Sequence, residues 1–374
     1  MVACQSPRDR VVVAGGIFRE VFVEGQQSSS RIGGSGLTAA IAASRLGSEA
    51  VLVATVGGDD ADEALALLQQ AGVNTEWVSV VPGASGIFAF EDVADASAPR
   101  PLFRPAESVP VDPHDAPQAA VNLAFGMPQA DPLSWLHDSK QATLIWDRQG
   151  WLSQARGSEG ARHRPEHRRV FVANWSEFLD EFGPDLAGEM LAGAGVPGFE
   201  TTIIKAGPWG VTVIDAGVRH AVPTVYVETN NVIGSGDTFA GALAAGLAGG
   251  KSPTNAALQA GAAAAVALEA GTGSLSADGP TAVAEALAGA SRGYVDPAEL
   301  AQVTVGFDQT NGPGGDLLVR LARGVVEHLG LQAVQDPDQA EIRLCLDDSM
   351  GDLRSRLIDA VRERMAVVDL PGER

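Results

Sequence analysis

Short apolar runs closed by glycine-rich turns alternate with helical stretches along most of this chain. Residues 11–14 (VVVA), followed by glycines at 15 and 16, have the continuous apolar character of a strand buried on both faces of a parallel sheet. Strands that alternate with helices predict a layered α/β domain with a mainly parallel sheet. Further strands are predicted at 50–56, 142–146, 169–173, 201–205 and 211–214, and helices at 38–46, 59–71, 237–248 and 254–270.

Two segments have a different pattern, in which apolar and polar residues alternate. Residues 17–24 (IFREVFVE) and 86–91 (GIFAFE) have the alternation of a strand with one solvated face, between clusters of Gly, Ser or Pro. They are therefore expected to pair into a small separate sheet. Its exposed edges make a homodimer plausible, because pairing with a second copy would protect them.

The character of the chain changes after residue 291. Arg and Asp become frequent, and a new strand-helix-strand-helix pattern follows (VTVGF, LLVRLARGVVEHL, EIRLCL, LRSRLIDAVRERM). Residues 292–374 are therefore predicted to form an appended small α/β module of unknown role. Several of its acidic residues are either a metal cluster or solvated loop residues at strand ends: Asp308, Asp316, Asp347, Asp348 and Asp352.

The net charge excludes some classes of partner. The 374 residues carry 47 Asp and Glu against 26 Lys and Arg, a formal charge of −21, which disfavours binding to nucleic-acid backbones and anionic membranes. The two cysteines, Cys4 and Cys345, cannot form a disulfide framework, and the sequence lacks an apolar run of about 18 residues. We therefore expect a cytoplasmic protein without nucleic-acid or membrane partners, in which any anionic ligand binds at one local site.

The strongest local motif is a glycine-rich turn that leads directly into a helix, made of Gly234, Ser235, Gly236 and Asp237. Backbone N–H groups and the positive end of the helix would form a site for phosphate or for a developing anion. Asp237 would be poorly placed to bind phosphate but well placed to accept a proton from a hydroxyl that attacks it. The alternative is an ordinary helix start, with Ser235 or Asp237 as the N-cap.

Three further turns carry candidate site residues. Gly33 and Gly34 lie in a turn that leads into a predicted helix; they allow close approach of a ligand, with Thr38 placed to hydrogen-bond it, or they form a packing turn. Asn174 and Glu177 follow the strand at 169–173; Glu177 could organise magnesium waters, or the pair could cap a helix. A fourth turn ends the strand at 201–205, where the ammonium of Lys205 could neutralise phosphate beside Gly207 and Gly210, or be solvated.

Taken together and in this order, the four turns resemble the signatures of the ribokinase-like (pfkB-type) carbohydrate kinases over about residues 10–290. The resemblance implies a three-layer α/β fold with a mainly parallel central sheet and a small β lid. It also implies a kinase domain over residues 1–291, with lid strands near 17–24 and 86–104. ATP and Mg²⁺ are the implied cofactors, and a small sugar-like molecule is the implied substrate.

The resemblance also implies roles for individual residues. The 234–237 turn is similar to the family's anion hole and catalytic base, and residues 33–34 with 45–47 (RLG) are similar to its N-terminal signature. Asn174 and Glu177 are similar to its magnesium and phosphate motif. Arg104 lies in a segment similar to one where sugar-acid and fructose kinases place a substrate-contacting arginine.

Some positions depart from the family pattern. Phe18 and Glu20 stand where many members have an Asn-x-Asp that hydrogen-bonds sugar hydroxyls. We therefore expect Phe18 and Glu20 to make different contacts with the substrate. Thr38 replaces the usual asparagine of the N-terminal signature. Gly261 stands where an adenine-contacting asparagine is common, and Asn231 opens a changed lead-in to the anion hole.

The expected reaction is in-line transfer of the γ-phosphoryl group of ATP to a hydroxyl of a sugar or sugar-like molecule. Asp237 would accept the hydroxyl proton, the N–H groups of 234–236 would stabilise charge on phosphate, and Glu177 would hold Mg²⁺ through water. A nucleoside kinase is an alternative, since Phe18 and the tryptophans could stack on a base. A catalytically silent metabolite sensor on the same fold is another.

Overall fold

The structure is a computed structural model. It describes residues 9–24, 27–91, 100–103, 118–125, 142–148, 168–229, 231–289, 292–308, 319, 322–323, 326, 329, 331–345, 353–364 and 368–369. The strands are β1 (Arg10–Ala14), β2 (Phe18–Glu24), β3 (Gln27–Gly33), β4 (Glu49–Gly57), β5 (Val78–Val81), β6 (Gly86–Glu91), β7 (Arg100–Phe103), β8 (Val121–Phe125), β9 (Thr143–Asp147), β10 (Arg169–Asn174), β11 (Thr201–Lys205), β12 (Val211–Asp215), β13 (Val218–Val222), β14 (Thr224–Val225), β15 (Arg292–Tyr294), β16 (Thr304–Asp308), β17 (Gln332–Ala333), β18 (Ile342–Cys345) and β19 (Val368–Asp369). The helices are α1 (Ser35–Arg45), α2 (Ala61–Gln70), α3 (Trp175–Glu189), α4 (Ser235–Ala248), α5 (Pro253–Glu269), α6 (Gly279–Gly289), α7 (Pro297–Leu300) and α8 (Leu353–Arg364).

A nine-stranded sheet forms the centre of the fold, in the order β13-β12-β11-β10-β9-β8-β1-β4-β5. Neighbouring strands are parallel except at the β11–β12 and β12–β13 pairs. Because side chains alternate along a strand, β1 contributes to two cores: Val11 and Val13 lie on the side of α1 and α4, whereas Val12 faces the opposite side. Helix α3 covers that opposite side of the sheet through Phe178, which packs on Phe171. The predicted three-layer α/β fold is confirmed.

Helices α1 and α4 meet at Gly241, where a methyl group would lie 2.1 Å from the carbonyl oxygen of Ala39. We expect Gly241→Ala to lower the free energy of unfolding by about 1–3 kcal/mol, because the two backbones must separate. Gly188→Ala in α3 is the matched control: its methyl would meet open space, and it is expected to stabilise the chain by about 0.5–1 kcal/mol. Urea denaturation measures the free energy of unfolding of both variants. Equal changes in the two variants would contradict the close approach of α1 and α4 at Gly241.

A four-stranded sheet, β3-β2-β6-β7, forms the lid. The predicted pairing of the segments at 17–24 and 86–91 is confirmed, and these two strands are parallel. Arg19 ties the lid to the rest of the fold through a 2.6 Å ion pair with Asp60, which also accepts the N–H of Ser85. Burial would raise the pKa of Asp60, but the hydrogen bonds from Arg19 and Ser85 outweigh it and hold that pKa below its usual value.

The C-terminal residues have a hydrophobic core of their own, around the parallel strands β17-β16-β18 and helix α8. This core includes Leu300, Val305 and Leu357, together with Trp209 from the turn between β11 and β12. A second small sheet, β14-β15-β19, joins residues 292–294 to residues 224–225. The division of the chain at residue 291 stays a prediction.

The predicted strands and helices are present with shifts of one to three residues at their ends, apart from residues outside the described part. In the C-terminal region, residues 319, 322, 323 and 326 of the predicted helix are helical. The elements that were not predicted are strands β3, β5, β8, β13, β14, β15, β17 and β19 and helices α6 and α7. None of the helices formed by the described residues has the length and apolar character of a membrane-spanning segment.

Candidate active site

A cavity of about 320 Å³ lies between the lid and the carboxyl ends of the parallel strands. Asp147 ends β9, Asn174 ends β10 and Lys205 ends β11, and all three line the cavity. Ligands of open α/β sheets bind at this edge. The structure brings these predicted site residues together in the cavity lining: Phe18, Glu20, Gly34, Asn174, Glu177, Lys205, Gly207, Gly210, Gly234, Ser235, Gly236, Asp237 and Gly261.

The glycine-rich turn before α4 has a backbone that requires glycine. Gly234 has a φ of 85°, and a methyl group there would lie 2.8 Å from the carbonyl oxygen of Gly273. Ser235 serves the turn itself, because its hydroxyl (2.7 Å) and its N–H (3.2 Å) both donate to the carbonyl of Val232. The amides of Gly236 and Asp237 lie in the first helical turn, which has no intrahelical acceptors. An anion would therefore bind at residues 236–237 more readily than at Ser235.

Lys205 contributes a cation to the cavity lining. Its Nζ donates to both carboxylate oxygens of Asp147, at 2.9 and 3.1 Å. Burial lowers the pKa of Lys205, but the negative charges of Asp147, Glu177 and, more weakly, Asp237 raise it above its usual value. The side chain is therefore a cation at neutral pH. A methyl group at Gly236 would lie 3.6 Å from Nζ, so this cation adjoins the first turn of α4.

Asp147 and Arg148 belong to the site and were not predicted. The side chain of Asp147 is 2% exposed, and Arg148 forms an ion pair with Glu181. The buried Nε–H of Arg148, a cavity-lining residue, has no hydrogen-bond partner among the described residues. The sequence does contain a signal for Asp147, because this acidic residue comes immediately after the apolar run at 142–146. Residues at the carboxyl ends of parallel strands often contact ligands.

Asn174 and Glu177 form a reciprocal cap at the start of α3. Asn174 Oδ1 accepts the N–H of Glu177 at 2.7 Å, and Glu177 Oε2 accepts the N–H of Asn174 at 2.8 Å. The helix-cap alternative is therefore confirmed, and both residues also line the cavity. The described residues contain no cluster of three or more metal-ligating side chains. Magnesium needs no such cluster, because it retains several waters and binds through one or two carboxylates.

On the lid side, Glu20 is buried and already paired. Its Oε1 accepts the N–H of Gly34 at 3.0 Å, and its Oε2 accepts Nε of Arg31 at 2.8 Å. Arg31 also donates to the carbonyl of Thr272, one residue before Gly273. Glu20 therefore holds the lid to the α1 turn, while Arg31 joins the lid to the loop that packs on Gly234.

Aromatic rings form the cavity wall beneath the lid. Phe18 and Phe88 meet edge to face with their centroids 4.7 Å apart, and Phe90 packs beside them with Ile233. Phe18, Phe88, Phe90 and Ile233 all line the cavity. This wall is apolar, so it suits a flat or weakly polar part of a ligand better than a row of hydroxyls.

A further part of the cavity lining, here called the base end, is formed by four segments. They are the turn at 207–210, residues 224–227, the face of α5 from Gly261 to Leu268, and Leu329. Gly261 leaves room beside Thr224, whose hydroxyl would lie 3.4 Å from a methyl group at that position. An apolar slot next to a cation and a helix N-terminus matches the base and phosphates of a nucleotide, so ATP fits the residues present.

Of the predicted substrate residues that the structure describes, Gly33 and Thr38 are not part of the cavity lining. Gly33 lies beneath Glu20, where a methyl group would be 2.5 Å from Oε1, and Thr38 is buried in the first turn of α1. Arg104 lies outside the described residues. Of the acidic residues considered as a metal cluster, Asp316, Asp347, Asp348 and Asp352 lie outside them too, and only the backbone of Asp308 is described.

Solved structures with the same fold are numerous. Ribokinase from Cryptococcus neoformans with ADP has 21% identity and a TM-score of 0.56, over 70% of this chain and 94% of that chain. Aminoimidazole riboside kinase from Salmonella enterica, with aminoimidazole riboside and an ATP analogue, has 18% identity and a TM-score of 0.58, over 74% and 98%. A putative ribokinase II from E. coli, with ATP and Mg²⁺, has 18% identity and a TM-score of 0.56, over 69% and 92%.

At these identities the similarity establishes the three-layer fold. Among curated protein sequences, none matches the chain significantly. The sequence profile described as "pfkB family carbohydrate kinase" matches residues 5–278, most of the chain, and includes every cavity segment except Leu329. The chain therefore belongs to the pfkB family of carbohydrate kinases.

Proposed function

We propose that this protein transfers the γ-phosphoryl group of ATP to a hydroxyl of a sugar-like small molecule. The observation that carries the proposal is the position of Asp237 in the first turn of α4, in one cavity with Lys205 and Glu177. A carboxylate beside a cation and a helix N-terminus combines a proton acceptor with groups that stabilise negative charge.

Asp237 is the proposed general base. As the hydroxyl oxygen bonds to phosphorus, the bond between that phosphorus and the leaving oxygen of ADP breaks, and the hydroxyl proton moves to the carboxylate of Asp237. The first-turn amides of α4 and the ammonium of Lys205 would stabilise the negative charge on the transferring group. The lid would exclude water, which competes with the alcohol as acceptor.

The nucleotide would be held by two sets of residues. The base end offers apolar contacts from Val225, Ala264 and Leu268, and the phosphates would meet Lys205 and the start of α4. Glu177 would hold Mg²⁺ through water, and the metal would supply charge neutralisation of the phosphates. Asn174 keeps Glu177 in position through the reciprocal cap.

A nucleoside is the second candidate for the acceptor, and the aromatic wall favours it. Phe18, Phe88 and Phe90 offer flat apolar surfaces. Glu20, the acidic group on that side, is already bonded to Arg31 and Gly34. An acceptor that carries its hydroxymethyl group on a ribose and a ring beyond it would use these rings for stacking.

A screen of sugars, sugar acids and nucleosides, with ADP release as the measurement, tests the proposal. We expect one compound class to stimulate ADP release from ATP and Mg²⁺, with no stimulation in the Asp237→Asn variant. Each compound is also tested for an increase in the thermal unfolding temperature, which reports binding without turnover. A compound that stabilises the protein but releases no ADP would favour the metabolite sensor instead.

A further inference from the structure

The C-terminal residues pack against the back of the cavity wall at the base end. Trp209 is 2% exposed and lies in the C-terminal core. Its indole N–H donates to the carbonyl of Leu329 at 3.0 Å, and its own carbonyl accepts the N–H of Val295 at 2.8 Å. Its neighbours in the chain, Pro208 and Gly210, line the cavity. The turn at 207–210 thus faces the cavity on one side and the C-terminal core on the other.

A second segment of the base end has the same arrangement. Val225 and Val227 line the cavity, whereas Tyr226 between them packs against the C-terminal core. The guanidinium of Arg362, in α8, lies 4.9 Å from the centroid of the Tyr226 ring. Two separate wall segments therefore each direct one aromatic side chain into the C-terminal core and present their neighbours to the cavity.

Leu329 extends this contact into the cavity itself. It is 4% exposed, belongs to the C-terminal core and also lines the cavity. Leu331, two residues later, has the same exposure and lies in the same core but is not part of the lining. Leu329 is an apolar side chain beside the turn at 207–210, whereas the cavity's cation and helix N-terminus come from Lys205 and the start of α4, so Leu329 is suited to contact the base of a nucleotide and not its phosphates.

We propose that the C-terminal module is part of the nucleotide site, and that Leu329 contacts the nucleotide base. This inference rests on the proposed use of ATP. The module then has two effects: Leu329 adds apolar contact area to the base, and the packing of Trp209 and Tyr226 fixes the two wall segments. Loss of the Leu329 side chain should lower the affinity for ligands that carry a nucleotide base. The affinity for ligands that consist only of phosphate should not change.

The test compares Leu329→Ala with Leu331→Ala in the full chain, with calorimetric affinities for ADP and for inorganic tripolyphosphate. We expect Leu329→Ala to weaken ADP binding about tenfold, since a buried leucine contact is lost, with tripolyphosphate affinity unchanged. Leu331→Ala is expected to change either affinity by less than about twofold while destabilising the core similarly. Leu329→Val, a smaller truncation that preserves folding, is expected to weaken ADP binding about threefold.

Each other outcome is decisive. If Leu329→Ala and Leu331→Ala weaken ADP binding to the same extent, the module only supports the fold and the proposal fails. The same conclusion follows if Leu329→Ala weakens tripolyphosphate binding as much as ADP binding. If Leu329→Ala and Leu329→Val bind ADP as the unaltered protein does, it fails as well. An unaltered protein that binds no ADP would instead overturn the proposed function.

Discussion

Asp237→Asn is expected to lower kcat by about 10²–10⁴-fold, because the amide cannot accept the hydroxyl proton as the new bond to phosphorus forms. The amide has nearly the same shape as the carboxylate, so the turn at 234–237 should keep its geometry. ADP affinity is expected to change little, since the proposed nucleotide contacts come from Lys205, the base end and the amides of the turn. ADP release at saturating acceptor measures kcat, and calorimetry measures ADP affinity.

Asp62→Asn is the matched control for this change. Asp62 also lies in the first turn of a helix, α2, and is exposed. Either substitution removes a carboxylate that interacts favourably with the helix dipole, which contributes about 0.3–1 kcal/mol. Asp62→Asn should therefore reproduce the small loss of stability with normal kcat. An Asp237→Asn variant that keeps normal kcat would refute the assignment of the base.

Lys205→Met is expected to have the largest effect on stability. It leaves the carboxylate of Asp147, whose side chain is 2% exposed, without its cation. Removal of one partner of a buried ion pair costs about 3–5 kcal/mol. Turnover should fall as well, because the cation proposed to neutralise the transferring phosphoryl group is lost. Urea denaturation and ADP release measure the two effects separately.

The double variant Asp147→Asn with Lys205→Met separates the two roles of the lysine. Neutralising Asp147 removes the uncompensated charge, so we expect the double variant to regain most of the lost stability. Turnover should remain low, because neither substitution restores a cation beside the first turn of α4. If turnover returns together with stability, Lys205 has a structural role only.

Much of the fold could be predicted because its strands and helices have distinct periodicities. The apolar run at 11–14 and the turn after it predicted β1, and the Ala-rich stretch at 254–270 predicted a buried helix. Strand β8 was missed because Asn122 interrupts the apolar run at 121–125 (VNLAF), and β3 because QSSSRIG has the composition of a polar loop. The polar composition of β3 does not favour a strand, and β3 forms one through its pairing with β2.

Some residues of the candidate site could likewise be predicted from the sequence, and others could not. Gly234, Asp237 and Lys205 lie in turns whose glycines mark them in the sequence, and the structure brings them into one cavity. Asp147 was missed because its importance comes from Lys205, 58 residues away. Leu329 was missed for a similar reason, since nothing in a leucine within an apolar helix pattern distinguishes a cavity wall from a core.

The burial of Trp209 also has a consequence for how the protein is made. Synthesis proceeds from the amino terminus, and the core that covers this indole is built mainly from residues after 294. While those residues are still missing, the nine-stranded sheet is already complete, but Trp209 lacks most of its apolar neighbours. A chain released early would therefore expose a large apolar side chain beside the ligand cavity, a surface of the kind that chaperones and proteases act on.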